Sequence, residues 1–232
     1  NSEYRGYEFI SLVNLEKRPH HLTVLPSLFS NIIVDNTLHQ QVNVHNFSKE
    51  NSFSLLSAWR TGNISLRPSA TIDFQHNALN SSLASFRNDL NFNLFNAGVG
   101  AEATYDIGKL YASLYLPIRY KHFHLTDLTT ERTTKKSRLR LEPHLNVTYR
   151  INGSHELSLK SDISYSTPVI ENLYTNNILT SYRQLSAYDV TGLFEGLNQY
   201  YTFGYSFKNI LSMSFAGIDF SLYRQCPEVL YG

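Results

Sequence analysis

The chain has 232 residues, 42% of them hydrophobic, and a formal net charge of +1. Such a balance removes the electrostatic case for nucleic acid, and no apolar run approaches the roughly 18 residues of a transmembrane helix. A single cysteine, Cys226, rules out an internal disulfide.

Alternation of apolar and polar residues governs the rest of the reading, because successive side chains of a strand point to opposite faces. The first predicted strand covers Tyr7–Lys17 and runs on to Thr23 and Val24. Its faces are mixed, with Ile10 and Leu12 opposing Phe9 and Val13. A connection over Ser27–Gln41 carries Leu28, Phe29, Ile32, Ile33 and Val34, and a second strand follows over Val42–Trp59. Arg60-Thr61-Gly62-Asn63 reads as a tight turn. The third strand, Asn63–Ala78, sets Ile64, Leu66, Pro68, Ala70, Ile72 and Phe74 against Ser65, Arg67, Ser69, Thr71, Asp73 and Gln75. A polar loop is expected over Asn77–Asn88.

The fourth strand runs from Leu90 to Ile107, where Leu94 beside Phe95 predicts a bulge. A turn at Asp106–Lys109 leads to a fifth strand with Leu110, Ala112, Leu114, Leu116, Ile118 and Tyr120 on one face. A charged loop over Thr126–Lys136 precedes the clearest pair, Arg138–Ile151 and Glu156–Val169, joined at Asn152-Gly153. A long segment, Ile170–Gly196, separates these from an eighth strand starting at Leu197. Lys208-Asn209 then turns the chain into a ninth strand with a phase slip at Ala216-Gly217.

Connections therefore alternate between long and short, and short turns gathered at one end are the habit of up-and-down membrane barrels. Aromatic residues amount to 13% of the chain. Trp59, Tyr105, Tyr111 and Tyr149 fall near the short turns, and Phe74, Phe92, Tyr120 and Tyr165 toward the long loops, as barrel girdles would. The expected fold is all-β, an antiparallel up-and-down transmembrane β-barrel, with 1–232 as one barrel domain supplying about nine strands of a larger barrel. The chain begins without Met and stops just past a strand, so it is expected to be a fragment.

On this reading the lumen-facing polar set is Arg67, Asp73, Glu102, Arg119, Lys121, Arg138, Arg140, Glu142, Arg150, Glu156, Lys160 and Asp162. The lipid-facing set is Leu139, Leu145, Val147, Tyr149, Leu157, Leu159 and Ile163. His20-His21 and His122-x-His124 lack an accompanying carboxylate or cysteine cluster, so no metal or cofactor is expected. No nucleophile, histidine and acid fall into a recognisable constellation, and the chain is expected not to be an enzyme. Four Asn-x-Ser/Thr triplets, at Asn63, Asn80, Asn146 and Asn152, read as coincidence in an Asn/Ser-rich chain.

The stretch Arg18-Pro19-His20-His21-Leu22-Thr23-Val24, followed by Pro26 and Leu28-Phe29-Ser30, resembles the barrel of TonB-dependent receptors from Bacteroidota. The run Gly196–Asn209, with Phe215 and Phe220-Ser221-Leu222-Tyr223, resembles it too. The resemblance implies a plugged barrel in the bacterial outer membrane, taking up a nutrient, glycan or metal chelate. Its implied partners are outer-membrane lipid, an N-terminal plug, TonB and a surface lipoprotein. The plug and TonB box are absent from these residues. Two other readings stand beside it: a complete small outer-membrane barrel acting as pore or adhesin, and a soluble β-sheet binding module with long recognition loops.

Overall fold

The computed structural model describes residues 6–24, 38–56, 59–181, 184–187 and 193–226. Thirteen strands are present among them. They are β1 (Gly6–Val24), β2 (Leu38–Leu56), β3 (Trp59–Thr61), β4 (Ile64–Leu83), β5 (Phe86–Asp106), β6 (Leu110–Asp127) and β7 (Arg132–Leu141). They continue with β8 (His144–Arg150), β9 (His155–Tyr165), β10 (Ile178–Ser181), β11 (Gln184–Ser186), β12 (Leu197–Asn209) and β13 (Ser214–Cys226). Eleven form one sheet in the order β1-β2-β4-β5-β6-β8-β9-β12-β13, with β3 beside β4 and β7 beside β6. β10 and β11 make a separate hairpin inside the long segment.

The sheet is open. Among the described residues β1 pairs only with β2, and β13 only with β12. This corrects the expected transmembrane barrel, and with it the resemblance to TonB-dependent receptors, the uptake function and the outer-membrane location. The complete small barrel falls for the same reason, since it requires the first and last strands to meet. Alternation and tight turns specify pairing between neighbouring strands; they contain no instruction for the two ends of the sheet. Among the described residues no helix is long and apolar enough to cross a membrane.

Strand lengths depart from the expectation in one consistent way. The polar stretch over Asn77–Asn88 is not a loop: β4 and β5 run through it in register, leaving a two-residue turn whose Ala84 has φ of 50°. β6 and β7 likewise extend into the charged stretch after Thr126, and Glu131 turns the chain at φ 55°. Polar residues can continue a strand when their partners are equally polar, because the ladder bonds are main-chain. Neither expected bulge exists, since β5 pairs without a slip from Leu90 to Asp106 and β13 from Ser214 to Cys226. The predicted strand at Arg138–Ile151 is interrupted at Glu142-Pro143, where proline has no N–H to donate. Its carbonyl still accepts from Ile163 N at 3.1 Å. The apolar connection expected from Ser27 lies outside the described residues as far as residue 37.

Register assigns the two faces. Arg67 opposes Glu102, Glu102 opposes Tyr115, and Tyr115 opposes His144, which opposes Asp162. That row defines a polar face running across the middle of the sheet. Toward the Ala84 end the same face turns apolar on three neighbouring strands: Leu79 on β4, Leu90, Phe92 and Leu94 on β5, and Phe123 on β6. Ile170, Leu173, Tyr174, Ile178 and Leu193 of the long segment pack onto these residues and complete the main core. Phe92 and Phe123 stack there with ring centroids 6.3 Å apart. Val24, Leu83 and Leu179 form a second, smaller cluster. Each large apolar side chain so buried contributes about 1.5–3 kcal/mol.

Candidate binding face

The segment between β9 and β12 is held on the polar face by side chains that imitate a strand. Gln40, buried on β2, donates through Nε2 to Leu179 O at 2.8 Å and accepts from Leu179 N at 2.6 Å. Asn88, buried on β5, does the same with Asn176, donating to its carbonyl at 3.1 Å and accepting from its N–H at 2.9 Å. Each carboxamide thus satisfies one donor and one acceptor of a main chain that is buried at Leu179 and partly buried at Asn176, groups that are costly to leave unpaired away from water.

Ion pairs fix the other end of the segment. Lys121 lies 2.9 Å from Glu142 and 3.9 Å from Glu195, and its Nζ donates to Tyr165 O at 3.2 Å. Arg140 donates to Glu195 at 2.8 and 3.1 Å and lies 4.3 Å over the Tyr165 ring. Arg119 pairs with Glu142 at 3.2 Å. The Glu195 side chain has no solvent exposure and that of Lys121 has 6%. Near β1, Arg18 donates to Glu171 at 2.8 Å.

Away from the segment the polar face stays open as a cleft of about 330 Å³. Glu8, Ser54, Arg67, Ser69, Glu102 and Tyr115 line it. Arg67 donates to Glu8 at 2.8 Å and to Ser54 at 2.9 Å. Ser113 donates to Glu102 at 2.7 Å, and the Ser69 and Tyr115 hydroxyls lie 3.1 Å apart. Gly100 forms the floor beneath Tyr115. A Cβ there would meet the Tyr115 ring at 2.9 Å and Pro117 Cα at 3.0 Å. Tyr115 also stacks on His144, and His144 is 2.5 Å from Asp162.

Every residue of the predicted lumen-facing set lies on this one face, but in different groups. Arg67 and Glu102 line the cleft, whereas Arg119, Lys121, Arg140 and Glu142 hold or border the segment. Arg138 stands opposite Lys121. Asp73 accepts from Asn96 at 2.8 Å; burial raises its carboxyl above the usual range, partly offset by that bond and by Arg119. Asp162 pairs with His144, Lys160 lies between Asn146 and Thr202, and Arg150 and Glu156 form a pair at 3.3 Å near the Asn152 turn.

The apolar set occupies the opposite face. Leu139, Leu159 and Tyr149 are exposed there, and Leu145, Val147, Leu157 and Ile163 partly so. Phe92, expected in an aromatic girdle, is instead in the core, and Tyr165 lies against Arg140. His122 bonds to Ser137 at 2.8 Å and His124 to Thr126 at 3.4 Å. Among the described residues no three His, Cys, Asp or Glu side chains converge on a point.

Gln40, Asn88 and Glu195 went unrecognised in the sequence. Lone carboxamides carry no pattern, and Glu195 lies in an irregular stretch. A signal for the docked segment did exist. Leu79, Leu94 and Phe123 put large apolar residues on the polar face toward the same end of three successive strands, which marks an apolar patch rather than slips of phase. No protein-family model matches this chain, and no curated protein matches its sequence.

Proposed function

We propose that this chain is a β-sheet binding module that holds a neutral polar ligand in the cleft beside Arg67, Glu102 and Tyr115. The observation that carries the reading is an open cleft of about 330 Å³ on a polar face whose other end the chain covers with its own segment. That volume is at the small end of ligand sites. Arg67 is already neutralised by Glu8 at 2.8 Å, so the charge it offers a ligand is small. Ser54, Ser69 and the Tyr115 hydroxyl can each donate or accept. Such a lining suits a ligand rich in hydroxyl or amide groups over a strong anion. The role is binding, with no bond made or broken in the ligand.

The test is a titration of isotopically labelled chain with a panel of neutral hydroxyl-rich and amide-rich compounds, read by chemical shift. The reading expects perturbations centred on Ser54, Arg67, Ser69 and Tyr115 that disappear in Gly100→Ala. Perturbations centred elsewhere, or none across the panel, contradict it.

A further inference from the structure

We infer that the gap between the docked segment and strands β1 and β2 is a second binding site, one that takes an alkylammonium ion with its chain in the gap and its charged head beside Glu171. The gap holds about 350 Å³, within the range of small-ligand sites. It lies where the two apolar clusters meet. Val44, Leu79, Tyr174 and Ile178 of the main core line it, and so do Leu22 and Leu179 of the smaller cluster. The paired bonds between Gln40 and Leu179, at 2.8 and 2.6 Å, hold the segment to the sheet beside it. Closing the gap by moving the segment would break those bonds between buried groups. An apolar chain entering it instead removes apolar surface from water and leaves them intact.

Charge selects the head group. Arg18 and Glu171 line both the gap and a neighbouring polar cleft of about 540 Å³, so their ion pair at 2.8 Å stands on the border between apolar and polar space. Glu16 holds the same guanidinium at 3.2 Å. Counting His20, which also lines the gap, as neutral, the border carries one positive and two negative charges among the described residues, a net of −1. An anionic head would meet two carboxylates and a guanidinium they already engage. An ammonium is attracted there, and its N–H groups can donate to Glu171 and to the side-chain carbonyls of Asn46 and Asn77 on the polar side.

The two halves of the site divide the work. The Arg18, Glu16 and Glu171 side chains are 49%, 46% and 39% exposed, so the head group stays hydrated and the charge sets preference more than strength. Affinity comes from the chain in the gap. No lining residue is shared with the cleft at Arg67 and Tyr115, and the ligand is of a different class.

The test is a titration of the full isotopically labelled chain with octylammonium, octanol and octanoate in turn, read by chemical shift. Saturable shifts are expected at Val44, Leu79, Tyr174 and Ile178. Octylammonium should bind tightest and octanoate roughly fivefold or more weaker, the order of difference that half-exposed charges give. Val42→Phe narrows the gap and should remove binding while the spectrum keeps the dispersion of a folded chain. Glu171→Gln preserves the shape of a half-exposed side chain and should erase most of the preference for octylammonium over octanol. Gly100→Ala, which alters the other cleft, should leave the titration unchanged. No saturable shift, octanoate bound as tightly as octylammonium, a preference that survives Glu171→Gln, or undiminished binding to Val42→Phe would each overturn the inference. So would loss of binding in Gly100→Ala, or shifts confined to the exposed apolar face at Ile72 and Val99.

Discussion

Glu195 shows how much a single side chain can hold in place. It has no contact with water and receives Arg140 at 2.8 Å, with Lys121 at 3.9 Å. Removing one partner of a buried pair leaves an uncompensated charge, at a cost of about 3–5 kcal/mol. Glu195→Ala should therefore loosen the segment before the sheet. The check is limited proteolysis, with new cleavage expected between residues 166 and 196 while β4, β5 and β6 stay intact. Asp73 gives a test by pH. Burial raises its carboxyl above 3.8, so between that value and the raised one the folded chain binds more protons than the unfolded chain. Stability falls as pH rises through that window. Asp73→Asn should flatten this part of the stability curve, as measured by denaturant unfolding across mildly acidic pH. Gly100→Ala should displace Tyr115, because the added methyl meets the Tyr115 ring at 2.9 Å and the Pro117 backbone at 3.0 Å.

At the scale of elements, the strands were legible and their ends were not. Period-two alternation located the paired strands β4 to β9 because each sets apolar residues against polar ones over many positions. It failed at Asn77–Asn88, where Asn and Ser predominate and only Leu79 and Leu83 keep the alternation on the core-bearing face, although the ladder continues. It failed again at Leu94 and Phe95, where both faces are apolar because the docked segment covers one of them. The cleft was legible only as a row of charges, since which of them the segment covers depends on contacts made by Gln40 and Asn88 more than a hundred and about ninety residues away in sequence, respectively, or 139 and 88. Phe92→Ala should cost about 3–5 kcal/mol, the usual result of emptying a fully buried aromatic site. Replacing Phe95, its exposed neighbour on the other face, should cost far less. Chemical denaturation of the two variants compares them directly.

At the scale of the molecule, the two faces of the sheet have opposite fates. The polar face carries the core, the docked segment and the cleft. The other face leaves Ile64, Ile72, Val99, Leu116, Ile118 and Leu139 exposed together. Contiguous apolar patches of this kind mark surfaces that meet something else, and no layer covers this one among the described residues. Alternation identified that face as apolar; the resemblance and the girdle reading added a closure that the strands do not make among the described residues.

Whether the sheet is open decides the fold and the proposed function together. The most direct measurement is the distance between spin labels on Ser11 of β1 and Ser221 of β13, in a spin-diluted sample so that only pairs within one copy are read. Nine strand positions lie along the sheet, and neighbouring strands are about 4.8 Å apart. An open sheet places the labels several strand spacings from each other. A distribution centred at the separation of labels on directly paired strands would show β1 joined to β13 and contradict the account.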